Sequence, residues 1–122
     1  MTTEFQSSKP IYMQIVDRII IDILQEKQIL GDKLPSVREK AVQIGVNPNT
    51  IQRAYSELER MSVVETRRGQ GTFVIENSHL LDELRLSMQT EVINEYVKKM
   101  KEIGITKQQM ISELQHYLKE ED

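Results

Sequence analysis

Apolar side chains recur at helical steps along the first part of the chain. Ile11, Ile15, Ile19 and Ile23 follow one another at i+4, with Val16, Ile20 and Leu24 beside them. A face that broad predicts a well-buried helix of about 16 residues. Pro10 suits its first turn, where a missing N–H costs nothing. Gly31 follows its end, and Leu34-Pro35 predicts an extended link. A second helix opens at Ser36, where Ser36-Val37-Arg38-Glu39 is a capping box, and Val37, Ala41 and Ile44 form its inward stripe. Gly45 is its stop. Asn47 is an N-cap and Pro48 stands at the first position of a third helix, whose buried stripe is Ile51, Ala54, Tyr55 and Leu58. Only Gly45, Val46 and the Asn47 cap separate the two helices, a tight helix-turn-helix connection.

The period then changes from helical to extended. Val63–Thr66 and Thr72–Ile75 are rich in β-formers, and Arg67-Arg68-Gly69-Gln70-Gly71 joins them with glycines able to take φ > 0. The spacing predicts a hairpin with a basic tip, the wing of a winged helix-turn-helix. After a short linker at residues 76–79, Leu81, Leu84, Met88, Val92, Tyr96, Met100 and Ile103 return to helical steps. Gly104 breaks the pattern, and Thr106-Lys107-Gln108-Gln109 caps a final helix carrying Met110, Ile111, Leu114, Tyr117 and Leu118. The expected fold is therefore mainly α with a small β-hairpin. A winged helix-turn-helix over residues 1–76 is followed by a two-helix tail over residues 77–122. Two helices enclose little core, so the tail stripe needs a cover: the first domain, a second copy of the chain, or both.

Composition narrows the chemistry. With no cysteine among 122 residues, neither a disulfide framework nor a thiolate metal site can form, and a reducing cytoplasm is the expected compartment. The polar N-terminus lacks the apolar core of a signal peptide, and Ile19-Ile20-Ile21 is far short of the roughly 20 residues that span a bilayer. The net charge of −3 argues weakly against nucleic acid, but its distribution does not. Residues 31–72 hold seven basic and five acidic side chains, whereas residues 76–122 hold six basic and ten acidic. The suspected reader is the net-positive part, and phosphate binding follows local Lys and Arg placement rather than the whole-chain sum.

The exposed start of the third helix offers Asn49, Thr50, Gln52 and Arg53. Asn and Gln pair bidentately with adenine, Arg with guanine, and Thr reaches a base or a phosphate. The backbone N–H groups opening the second and third helices also suit phosphate oxygens, with Ser36 and Arg38 beside the first of them. Arg67 and Arg68 on a glycine-flanked tip suit a phosphate or the minor groove. Each of these residues read singly is an ordinary cap or a solvated polar group; it is their agreement that favours DNA. Gly69-Gln70-Gly71 is not a dinucleotide fingerprint, since no third glycine and no helix follow. His79 and His116 lack ligand-spaced partners, so no metal is expected, and no cofactor. No nucleophile, acid and base cluster together, which argues against an enzyme. Met88 and Met100 read as packing, and Lys98-Lys99-Met100-Lys101 as a solvated face.

Gly31-x-x-Leu34-Pro35-Ser36-x-Arg38-x-x-Ala41, then Gly45-Val46-Asn47-Pro48-Asn49-Thr50, then Arg68-Gly69-x-Gly71-Thr72-x-Val74, resembles the DNA-binding domain of the GntR family of bacterial transcription regulators. The likeness covers roughly residues 10–76. It implies a winged helix-turn-helix, a dimer on a two-fold symmetric operator in double-stranded DNA, and a C-terminal effector-responsive region. Carried over by position, it gives Ser36 and Arg38 to backbone or groove-edge contacts. Asn47, Asn49, Thr50, Gln52 and Arg53 fall in the recognition helix, and Arg68, Gly69, Gly71 and Thr72 in the wing. Pro48 stands where many family members place an arginine, so base preference is not inherited. The tail is too short for the effector domains of the longer branches and resembles the short YtrA-like subgroup, often linked to transporter genes. The resemblance makes it mainly a dimerisation arm through Leu81, Leu84, Met88, Val92, Tyr96, Met100, Ile111, Leu114 and Leu118, with at most a small pocket for a small-molecule effector. The expected function is a homodimeric regulator, a repressor; the alternative is a winged-helix adaptor that binds protein.

Overall fold

A computed structural model of the chain describes residues 8–121. The polar N-terminal stretch read above as no signal peptide lies mostly outside the described residues. The elements run α1 (Ile11–Leu24), α2 (Val37–Ile44), α3 (Pro48–Arg60), β1 (Val64–Arg67), β2 (Gly71–Val74), α4 (Ser78–Glu102) and α5 (Lys107–Glu121). The chain divides into two compact units, the first ending at Asp82 and the second running from Glu83 to Asp122, so that α4 passes from one into the other.

In the first unit α3 is the hub, packed against α1, α2 and β1. Its stripe of Ile51, Ala54, Tyr55 and Leu58 is buried, as are Ile15, Val16, Ile19, Ile20 and Ile23 of α1 and Ala41 of α2. Val63, Val64 and Val74 close the core beneath the hairpin. Ile51 and Leu58 have no exposed surface, so truncating either to Ala removes packing worth about 2–5 kcal/mol. The face of α3 opposite this stripe is thereby turned outward.

The helix boundaries follow their local chemistry. Ser36 Oγ accepts from the Glu39 N–H at 3.1 Å while Glu39 Oε1 accepts from the Ser36 N–H at 3.0 Å, the reciprocal capping box. Gly45 stops α2 at φ 80°, and Asn47 caps α3 with Pro48 in its first turn. Thr106 and Gln109 repeat the reciprocal cap at α5. The start and end of α1 differ from expectation. Pro10 precedes the helix as its cap, and α1 stops at Leu24, with Glu26 at φ 61° turning the chain.

The hairpin pairs Val64 with Val74, Glu65 with Phe73, Thr66 with Thr72 and Arg67 with Gly71. The strands thus sit one residue nearer the tip on each side than the β-formers suggested. The link that Leu34-Pro35 makes extended adds a third, strand-like edge. Gly31 N–H donates to Val74 O at 2.9 Å, Leu34 N–H to Thr72 O at 2.8 Å, and Val74 N–H to Asp32 O at 2.8 Å. β2 therefore lies between β1 and residues 31–34, and both of its edges are paired.

In the second unit, Tyr96 Oη donates to the carbonyl of Met110 at 3.1 Å, tying α4 to α5, and Met110 is buried. Among the tail positions expected to pair with a second copy, Leu84 is already covered within one chain, and Leu81, Met88, Tyr96 and Met100 are half-buried. Val92, Ile111, Leu114 and Leu118 remain exposed, joined by Leu86, Ile93, Ile103 and Tyr117, which lay outside that set.

Candidate nucleic-acid interface

Burial of the α3 stripe leaves Asn49, Gln52, Arg53 and Ser56 exposed, spaced at i, i+3, i+4 and i+7 along one outward face. Thr50 is half-buried at its edge. Gln52 Nε2 donates to Ser56 Oγ at a long 3.4 Å, a contact easily exchanged for a base edge. The Arg53 guanidinium carbon lies 3.9 Å from the centroid of the Tyr12 ring, within cation–π distance.

The two helix starts differ in what they leave for an anion. At α3, Pro48 has no N–H, the Asn49 N–H donates to Asn47 Oδ1 at 2.8 Å, and the Thr50 N–H donates to Asn47 O at 2.9 Å. The expected phosphate-binding amides are therefore engaged by the cap, and so is the Asn47 side-chain oxygen. What α3 offers is side chains. At α2 the Val37 and Arg38 N–H groups, in the first turn of the helix, have no partner among the described residues, and the Arg38 side chain is exposed beside them. Ser36 is committed to its capping box. The Glu39 carboxyl is held below its ordinary value, first by the Ser36 backbone N–H and then by its hydroxyl, with a smaller contribution from the Lys33 charge.

The wing turns over Arg67-Arg68-Gly69-Gln70. Gln70 N–H donates to Arg67 O at 2.9 Å, and Gly69, third in that turn, has φ 75°, the sign that a type II turn demands there. This moves Arg67 off the expected tip and into β1. Its guanidinium donates to Glu65 Oε1 at 2.9 Å and lies 4.1 Å from the Phe73 ring centroid. Arg68 has no such partner among the described residues and is exposed. The wing is tied to α3 by Glu59, whose Oε2 accepts from the Thr66 N–H at 3.1 Å. Tyr55 ties α3 to the approach of α2, its hydroxyl donating to Pro35 O at 2.7 Å.

Two residues that the sequence did not single out lie against the interface side chains. Lys33 pairs with Phe73 through the strand-like edge and lays its side chain over Gly71, with Cε 2.7 Å from where a Cβ would stand. It thus runs along β2 toward the turn of the wing, beside the Arg67–Gly71 pair. Tyr12 is the second. Neither has a local sequence signal, because each is brought to its neighbour by chain remote from it.

Among the described residues no group of three or more His, Cys, Asp or Glu side chains is arranged to hold a metal ion. No helix among them is long and apolar enough to cross a membrane.

Residues 11–74 match the family described as "Bacterial regulatory proteins, gntR family". Over 111 residues the chain is 56% identical to an uncharacterized HTH-type transcriptional regulator, YhcF of Bacillus subtilis (strain 168), covering 91% of this chain and 92% of that protein. It is 51% identical over 73 residues to the HTH-type transcriptional repressor YtrA of the same organism, covering 60% of this chain and 56% of the repressor. Among solved structures, a GntR family transcriptional regulator from Listeria monocytogenes superposes with a TM-score of 0.84 at 38% identity, over 92% of this chain and 98% of that one.

Proposed function

Since this chain belongs to the gntR family of bacterial regulatory proteins, DNA-binding transcription regulators rather than enzymes, we propose that it is a cytoplasmic repressor that binds an inverted-repeat operator as a homodimer. The observation that carries this reading is the outward face of α3. The buried stripe on its other side holds Asn49, Gln52 and Arg53 ready for base edges in a major groove. Thr50 serves a base or the adjacent phosphate. Arg38 and the free amides opening α2 take one stretch of backbone, with Ser36 and Asn47 shaping the helix starts. Arg68, on the Gly69 turn and the strand begun by Gly71 and Thr72, takes the flanking backbone or minor groove, with Lys33 and Arg67 next to the turn. Base contacts specify and backbone contacts position.

Residues 1–76 act as the reader and residues 77–122 as the arm that pairs two readers. Pairing would set the two copies of α3 about one helical turn apart along the duplex, roughly 34 Å. The repressor sign is drawn from the name of the YtrA relative. Transporter genes are the first place to seek the operator.

The test is selection from a random duplex pool at two salt concentrations with the purified chain. An enriched inverted repeat whose affinity falls steeply with salt supports the reading. Retention of protein ligands alone, with no enriched duplex, would replace it with the adaptor reading.

A further inference from the structure

We propose that Tyr12 is the positioning residue for Arg53, an aromatic platform that aims the guanidinium without neutralising it. This rests on the reading of Arg53 as a base-contacting side chain.

Three of the arginines around the reader are restrained in different ways. Arg60 is paired with the Glu57 carboxylate on its own helix, and Arg67 with Glu65 on its own strand. A carboxylate restrains a guanidinium but also occupies its N–H donors and cancels its charge, both of which a base or phosphate contact needs. Arg53 has no carboxylate partner among the described residues; it has the Tyr12 ring at 3.9 Å. A ring face attracts the cation through its quadrupole and takes no N–H donor. The donor fork stays available for bidentate contact with guanine.

The platform is itself well anchored. Tyr12 is the second residue of α1, one turn before Ile15 and Val16, which are buried in the core that α1 shares with α3. Pro10, Ile11 and Tyr12 line one shallow concavity with Asn49, Thr50 and Arg53, so the start of α1 sits beside the start of α3. A free arginine side chain samples many rotamers, and ordering them at the moment of binding opposes affinity. Stacking before DNA arrives meets part of that requirement in advance. The gain belongs to the base pair that Arg53 reads, and it is absent from backbone contacts elsewhere.

The experiment uses the full chain and the operator obtained by selection. Affinity is measured for the operator, for the operator changed at each base pair, and for random duplex. Tyr12→Phe keeps the ring and retains full discrimination. Tyr12→Leu loses discrimination by roughly two- to fivefold, the strength of an exposed cation–π contact, at the base pair that Arg53→Ala relaxes. It leaves random-duplex affinity unchanged and has no further effect when combined with Arg53→Ala. A Tyr12→Leu effect spread over all sequences, or one that persists undiminished alongside Arg53→Ala, overturns the inference while leaving the Arg53 reading intact. A silent Arg53→Ala overturns both. Should Tyr12→Leu fail to fold, pentafluorophenylalanine at position 12 keeps the ring shape and reverses the charge of its face. The same base-pair-specific loss then supports the platform, and unchanged discrimination overturns it.

Discussion

Tyr55 shows how a single buried hydroxyl ties the reading head together. Its ring lies in the α3 core and its hydroxyl donates to Pro35 O just ahead of α2, so one residue sets the spacing of the two helices. Burial, with a smaller push from the Glu39 charge, raises its pKa from 10.0 to about 12. The folded state therefore favours the protonated form. The stability this contributes is complete below about pH 10 and is lost as pH rises through about 12. Denaturant titrations across the alkaline range should show that loss, and Tyr55→Phe should remove the Tyr55 part of it. The same substitution should cost about 1 kcal/mol at neutral pH, the net worth of one hydrogen bond. The arginines of the wing separate in the same residue-by-residue way. Arg68→Ala should weaken binding to every sequence and lower the salt slope by about one. Arg67→Ala should do so less, because Glu65 and Phe73 already engage that guanidinium. Arg53→Ala should instead relax preference at one base pair, by about 1–3 kcal/mol.

At the scale of elements, what matters is how the wing is held to the recognition helix. Residues 31–34 pair with one edge of β2, β1 with the other, and Glu59 reaches from α3 to the Thr66 amide. Gly71 lies where these supports converge. It has φ 123°, and a Cβ there would meet Lys33. The end of a lysine side chain moves aside readily, so backbone strain is the main penalty. Gly71→Ala should destabilise the domain by about 1–3 kcal/mol in denaturant unfolding. It should also displace Lys33 and reduce affinity for operator and random duplex alike. The helices of the reader were legible in the sequence because capping boxes and i, i+4 stripes are relations among near neighbours; Ser36 with Glu39 and Thr106 with Gln109 formed as the spacing required. The strand ends were less so. Arg67 reads as a turn residue by composition, and only its pairing with Gly71 draws it into β1.

At the scale of the whole molecule, the tail leaves large apolar side chains exposed on both of its helices. Ile111, Leu114 and Leu118 form a stripe along α5, with exposures of 61%, 44% and 54%. A second copy of the chain would cover such a stripe and place two readers on one operator. Replacing Leu114 and Leu118 together by Glu should give a monomer in sedimentation with the first unit still folded. Operator affinity should then fall by roughly 100-fold or more as simultaneous engagement of two half-sites is lost. A dimer that survives this double change would move the interface to Val92 and the other exposed positions of α4.

The sequence by itself determined the helices and their caps, the order of elements, the buried stripe of α3 and hence the outward set of Asn49, Gln52 and Arg53. Those follow from periodicity and capping, which act over one or two turns. Only the tertiary structure decided which of the candidate groups are available. It engaged Arg67 with Phe73 across the hairpin, brought Lys33 to Gly71, and set Tyr12 beneath Arg53. The Lys33 and Tyr12 contacts join residues remote in the chain. They exist because α1 and α3 share a core and because residues 31–34 lie along β2, relations that no local pattern encodes.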